Sequence, residues 1–213
     1  MPTRYDRLAY RYDSALSPLE RRYLQKLRKE VIAALPNQGR ILELGAGTGA
    51  NFVFYDSASS VVATEPSREM IRFASNKRQP NISLLQSYGE HLPFRNETFA
   101  AAVATLVMCS VRSPEHVFSE LKRVVRPGGV ISLLEHVRPT GLLGVVFDAL
   151  NLITVPLLED HVNRRTVDTA TRAGLKVTKV RMVALGEAYS GETLNAAASR
   201  FLSWSSLNRP QLG

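Results

Sequence analysis

The 213 residues are 45% hydrophobic and 22% charged, the balance of a chain that folds as one domain around a sizeable core, which excludes a disordered or low-complexity polypeptide. A net charge of +8 favours anionic partners, but no Lys/Arg run is interleaved with stacking aromatics, so nucleic acid is not expected as a partner. Cys109 is the only cysteine; an intrachain disulfide and a thiolate metal cluster are excluded, no metal is expected, and a reducing cytoplasm is the default location. The opening Met1-Pro2-Thr3-Arg4-Tyr5-Asp6 holds no apolar h-region, so neither a signal peptide nor an N-terminal anchor is expected.

Ser17-Pro18 is a helix-start signal, and Leu24, Leu27, Val31, Ala34 and Leu35 then recur at helical spacing. This predicts an amphipathic helix of about five turns, rich in Arg21, Arg22, Lys26, Arg28 and Lys29 and ending near Pro36-Asn37-Gln38-Gly39, within an N-terminal cap over residues 1–38. Strand and helix patterns then alternate: Arg40 to Leu44, a helix from Asn51 to Tyr55, Ser60 to Thr64, a helix from Ser67 to Asn76, Ile82 to Leu85, Ala100 to Thr105, a helix from Pro114 to Val125, a turn at Pro127-Gly128-Gly129 and Val130 to Glu135. Alternation of this kind means a parallel sheet with crossover helices. A helix from Arg164 to Ala173, a strand from Lys176 to Val183 and a last stretch from Gly191 to Trp204, taken as an antiparallel strand, complete the chain. The expected fold is α/β, a Rossmann-like, doubly wound, mostly parallel sheet of seven strands in one domain, with an N-terminal helix and a hydrophobic cap insertion.

Ile41-Leu42-Glu43-Leu44-Gly45-Ala46-Gly47-Thr48-Gly49 is a strand running into a glycine-rich turn. Its spacing is G-x-G-x-G, whereas dinucleotide sites use G-x-G-x-x-G to seat a pyrophosphate on a helix N-terminus, so the pattern points away from NAD and FAD. At the end of the second strand stands Glu65, placed to accept hydrogen bonds from both hydroxyls of a ribose. An adenosyl ligand without phosphates fits both features.

These residues resemble the first two motifs of class I S-adenosylmethionine (SAM) methyltransferases of the type 11 domain. Leu92-Pro93-Phe94 and Arg123-Val124-Val125-Arg126-Pro127-Gly128-Gly129 resemble later landmarks of that family. The resemblance implies SAM as cofactor, with S-adenosylhomocysteine as product. It implies a cofactor site that includes Glu43, Ala46, Thr48, Asn51 and Thr105, in which Gly45, Gly47 and Gly49 line the methionyl part, Glu65 holds the ribose, Pro66 and Met70 flank the adenine, and Gly89 and Glu90 face its edge, with His91 either at the cofactor or on a surface loop. Two positions depart from the family pattern: Tyr88 stands where an aspartate usually precedes Gly89, and Ala100 where one usually follows Phe99.

Gly47 to Tyr55, Thr105 to Val111, Glu135-His136-Val137 and Asn163-Arg164-Arg165-Thr166 further resemble the methyltransferase-like branch whose vertebrate members methylate small thiols, including hydrogen sulfide. A thiol of pKa about 8.5 is a few per cent ionised at neutral pH and needs little beyond alignment to accept a methyl group. His136, where the fifth strand ends, is either a general base or a hydrogen-bonded structural histidine, and Cys109 either lines the acceptor pocket or is a small buried hydrophobe. Pro139 to Leu158 is uncharged apart from Asp148 and reads as a hydrophobic lid, within residues 137–162, rather than a membrane span, because Gly141, Gly144, Asp148, Asn151 and Pro156 interrupt it between two strands of one sheet. Methylation of a phospholipid amine or a quinone precursor at an anionic membrane surface is the rival within enzymes. A non-catalytic SAM-binding protein is the rival outside them, and the chain is expected as a monomer or homodimer.

Overall fold

The computed structural model describes residues 24–137, 166–184 and 198–205, the side chains of 136–137, 177–184 and 198–205 excepted. The first described helix, α1 (Gln25–Ala33), buries Leu27, Arg28, Val31 and Ile32. The turns expected before it lie outside the described residues, and Ala34, expected on the apolar stripe, is exposed while Ile32 is buried.

Strands β1 (Arg40–Leu44), β2 (Ser60–Glu65), β3 (Ile82–Gln86), β4 (Phe99–Thr105) and β5 (Val125–Val137) alternate with helices α2 (Arg68–Ser75) and α3 (Pro114–Val124). They pair in parallel in the order β3-β2-β1-β4-β5, the arrangement of a Rossmann-like α/β fold. Beyond β5, β7 (Ala198–Ser205) and β6 (Lys176–Ala184) pair antiparallel in the order β5-β7-β6. Between β5 and β6 in chain order, α4 (Thr166–Arg172) ends before Gly174.

Period-two alternation along the strands feeds two cores. Leu42, Leu44, Ala102, Ala104, Ile131 and Leu133 pack with Val117, Phe118 and Leu121 of α3 and Ala170 of α4. Ile41, Val61, Ala63, Ala101, Val103 and Leu134 pack on the other face with Leu27, Val31 and Ile32 of α1 and Ala74 of α2. Strands covered on both faces must be apolar throughout, and β4 is buried at every position. Ala100 is also buried, and a Cβ on Gly39 would stand 2.6 Å from the Ala100 Cβ, so the close approach leaves no room for a side chain at position 39.

Helix starts follow local chemistry. Ser67 Oγ accepts from the Met70 N–H and Ser113 Oγ from the His116 N–H, each capping the helix that follows. Two sequence expectations are corrected. Asn51 to Tyr55 forms only a short 3₁₀ turn over Phe52–Phe54, and Tyr55 is extended at ψ 137°, because Phe52 and Tyr55 are both drawn into the core beneath β1. The strand expected from Val130 begins at Val125; its pairing skips from Phe99↔Val125 to Ala101↔Val130, so Arg126-Pro127-Gly128-Gly129 is a bulge in the strand, where Pro127 has no N–H to give to the ladder.

The family landmarks also acquire a structural cause. Arg123 on α3 donates to the carbonyls of Leu92 (2.9 Å) and Phe94 (2.7 Å) and to Glu120 Oε1 (2.6 Å), while Glu120 Oε2 accepts from the Leu92 N–H at 2.8 Å. The Arg123 hydrogen bond holds the Glu120 carboxyl below its usual range. This pair pins the Leu92-Pro93-Phe94 segment to α3.

Candidate cofactor and acceptor site

The chain reverses its direction of sheet growth between β1 and β4, and in open α/β sheets ligands bind at the carboxyl ends of the strands flanking such a point. The glycine turn leaves β1 there. Gly45, Gly47 and Gly49 have φ of 67°, 54° and 79°, a left-handed region that residues with a Cβ enter at a cost. Their surroundings differ. A Cβ on Gly45 would lie 2.5 Å from Val107 Cγ2, whereas one on Gly47 would meet nothing within 4 Å. The middle of the turn thus faces open space with its backbone bare, as close approach of a ligand requires.

Glu65 ends β2 beside that turn. It is 6% exposed; Oε2 accepts from the Gly47 N–H at 3.0 Å and Oε1 from the Ser67 N–H at 2.9 Å. Two backbone donors fix the carboxylate's orientation, and each carboxylate oxygen can accept more than one hydrogen.

Beneath the turn lies a buried polar network. Arg28 Nη1 donates to Asn51 Oδ1 at 3.0 Å and to Thr105 Oγ1 at 2.6 Å. Asn51 Nδ2 donates to Glu43 Oε1 at 2.9 Å and to Thr105 Oγ1 at 3.0 Å. Arg28 is 5% exposed and Glu43 1%. Burial pushes the Glu43 carboxyl up to about 7, against the opposing pull of Tyr55, Asn51 and Arg28. Tyr55 is pushed well above the ordinary phenol range by burial and by the neighbouring Glu43 charge. Neither Glu43 Oε2 nor the Tyr55 hydroxyl meets hydrogen-bond geometry with a described residue.

The structure therefore gathers Glu43, Gly45, Ala46, Gly47, Thr48, Gly49, Asn51, Glu65 and Thr105 at one edge of the sheet. Met70 of α2 is buried, and the half-buried Pro66 accepts from Gln86 Nε2 through its carbonyl at 2.9 Å. The loop after β3 joins this edge where the Ser87 N–H donates to the Glu65 carbonyl at 3.3 Å. Within that loop Gly89 packs against Leu44 and Val117, Glu90 Oε1 accepts from the N–H groups of Arg112 (2.9 Å) and Ser113 (3.3 Å), and His91 is exposed. Cys109 is 6% exposed, with Sγ 3.6 Å from the Leu106 carbonyl. His136 pairs with Ser199 of β7, but its side chain lies outside the described residues, as does the expected lid. Among the described residues no cluster of His, Cys, Asp or Glu could hold a metal, and no helix is long and apolar enough to cross a membrane.

Two residues of this edge escape a reading of motifs. Arg28 sits among five clustered basic residues, yet its place four after Leu24 and three before Val31 puts it on the buried stripe. Glu135 is a carboxylate at the end of an apolar strand and is 1% exposed, a combination that asks for a partner.

An open glycine turn beside a buried, oriented carboxylate, on this fold, defines the class of site, and residues 42–133 match the family described as methyltransferase domain. Among particular relatives, thiol S-methyltransferase TMT1B of Rattus norvegicus is 37% identical over 107 residues, 47% of this chain and 44% of that protein. Phosphatidylethanolamine N-methyltransferase of Cereibacter sphaeroides is 36% identical over 118 residues (53% and 58%), and demethylmenaquinone methyltransferase of Renibacterium salmoninarum 31% over 140 (64% and 58%). The chain spans about half the length of the curated relatives it matches. In fold it is similar to the methyltransferase bound to the Trm112 activator of Haloferax volcanii (TM-score 0.73, 16% identity, 98% of this chain and 100% of that one). It is likewise similar to a SAM-dependent methyltransferase of Thermotoga maritima (TM-score 0.71, 20% identity, 94% and 97%).

Proposed function

We propose that this chain transfers a methyl group from SAM to a small thiol. The observation that carries the cofactor half is the open backbone at Gly47 facing the oriented Glu65 carboxylate. SAM, when bound, supplies an electrophilic methyl group that an acceptor's lone pair displaces in line. The chain's own part is to seat the adenosyl group with Glu65, Pro66, Met70, Gly89, Glu90 and His91, and the methionyl end with Gly45 to Gly49 above Glu43, Asn51 and Thr105. His136 and Cys109 are assigned to the acceptor side. Alignment and exclusion of water then do most of the work a thiolate needs. The thiol class is supported by the similarity to TMT1B. We read residues 1–213 as one cytoplasmic domain on a seven-stranded, doubly wound sheet, capped by residues 1–38 and with the acceptor lid within 137–162.

Methylation at a membrane surface is the second reading, favoured by the exposed Lys26 and Lys29 of α1 and by the similarity to lipid and quinone methyltransferases. Isotope-labelled SAM offered with hydrosulfide, small organic thiols, phosphatidylethanolamine and a quinol precursor, followed by mass spectrometry, separates the readings. Label on a thiol supports the first; label on lipid or quinol replaces it with the second; cofactor binding without transfer to any acceptor replaces both with a non-catalytic binder.

Glu65→Ala tests the cofactor assignment. Loss of a charge-assisted hydrogen bond is expected to weaken SAM binding by about 1.5–3 kcal/mol, tenfold or more in Kd by calorimetry. An unchanged Kd would remove Glu65 from the ribose.

A further inference from the structure

The turn that leaves β4 holds a conformation its side chain opposes. Leu106 has a φ of 59°, and such strain persists only where the surroundings impose it. The surroundings here are the end of β5. The Leu106 N–H donates to the Leu134 carbonyl at 2.7 Å, and the next two N–H groups, of Val107 and Met108, both donate to Glu135 Oε1 at 3.0 Å. Strand β5 thus grips the turn twice in succession, by backbone and then by carboxylate.

A carboxylate that is 1% exposed is costly to bury and must be offset by such charge-assisted bonds. An apolar side chain would fill the same space without that cost, so the charge serves the geometry of the turn. The turn in its own right touches the cofactor site: the Val107 side chain packs directly on Gly45, where an added Cβ would lie 2.5 Å from Cγ2 and 3.0 Å from Cγ1. Carboxylate, two amides, Val107 and the first glycine form one contiguous path across the switch point.

We propose that Glu135 is a positioning residue of the cofactor site, clamping the Leu106–Met108 turn so that Val107 stands as a fixed wall against Gly45. The inference rests on the SAM-binding reading above and assigns the Glu135 side chain no contact with the cofactor. Its effect on binding passes through Val107.

The test is a double-mutant cycle in the full chain, read by calorimetry with S-adenosylhomocysteine and by amide hydrogen exchange. Glu135→Leu is expected to weaken binding at least about tenfold and to speed exchange at Val107 and Met108; Glu135→Gln, which keeps an acceptor oxygen, stays within about threefold of wild type. Val107→Ala is expected to weaken binding while leaving the Met108 amide protected, and adding Glu135→Leu to it costs little further affinity, because both act on one wall. Additive losses, or a Glu135→Gln chain as impaired as Glu135→Leu, would overturn the inference and leave the SAM site standing. A wild-type chain that bound no S-adenosylhomocysteine would overturn the cofactor reading and this inference with it.

Discussion

Glu43→Gln is expected to remove a fall in stability of the wild-type chain as pH rises from about 4.5 to about 7. The Glu43 carboxyl is fully buried and pushed from 4.5 up to about 7. Between those values the folded chain keeps a proton that the unfolded chain has released, so unfolding is favoured progressively as pH increases. Below the unfolded value both states are protonated and the cost vanishes; above about 7 both are ionised and it is complete. At roughly 1.4 kcal/mol per pKa unit the full cost is about 3 kcal/mol, or roughly 6–12 °C in melting temperature for a chain of this size. Arg28, Asn51, Tyr55 and Glu65 are the groups that act on this carboxyl. Because Gln also leaves Arg28 without that neighbouring charge at every pH, the readout is the slope of Tm against pH in the two proteins. Parallel slopes would show that Glu43 does not titrate as its burial requires.

Arg28→Met is expected to destabilise the chain by about 3 kcal/mol, since it strips a buried network of its cation and leaves Asn51 Oδ1, Thr105 Oγ1 and the Glu43 carboxylate short of partners. Lys29→Met, one residue further along the same helix but exposed, is expected to change stability by no more than about 0.5 kcal/mol. Removal of the Arg28 charge also raises the Glu43 carboxyl further, because that charge lowers it, and so moves the pH-dependent loss to higher pH. Urea unfolding of the two variants at neutral pH decides the matter. Equal stabilities would mean that the Arg28 guanidinium contributes nothing to the network.

Much of the sheet is legible without coordinates because its strands are short, apolar and punctuated by turn residues. Arg40–Leu44 has the bounds expected of it, and Ser60–Glu65, Ile82–Gln86 and Phe99–Thr105 differ by a residue at one end. The capping serines Ser67 and Ser113 mark helix starts whose chemistry is local. The failures are tertiary. Asn51 to Tyr55 has a helix-like pattern, but its two buried aromatics and Asn51 each answer to a different partner, and only a 3₁₀ turn satisfies them all. Glu90 likewise takes its place in the fold from the amides before α3, 22 and 23 residues away.

The periodicities, the glycine spacing and the position of Glu65 are legible along the chain, because each depends on neighbouring residues or on one strand-to-turn junction. Long-range packing alone selects which member of the basic cluster is buried, since Arg28 differs from Lys26 and Lys29 through bonds to residues 23 and 77 positions away. It likewise decided the role of Glu135, whose partners at Val107 and Met108 are 28 and 27 residues distant. A buried charge is stable only when partners from several elements converge on it, and that convergence exists in the folded sheet and nowhere along the chain.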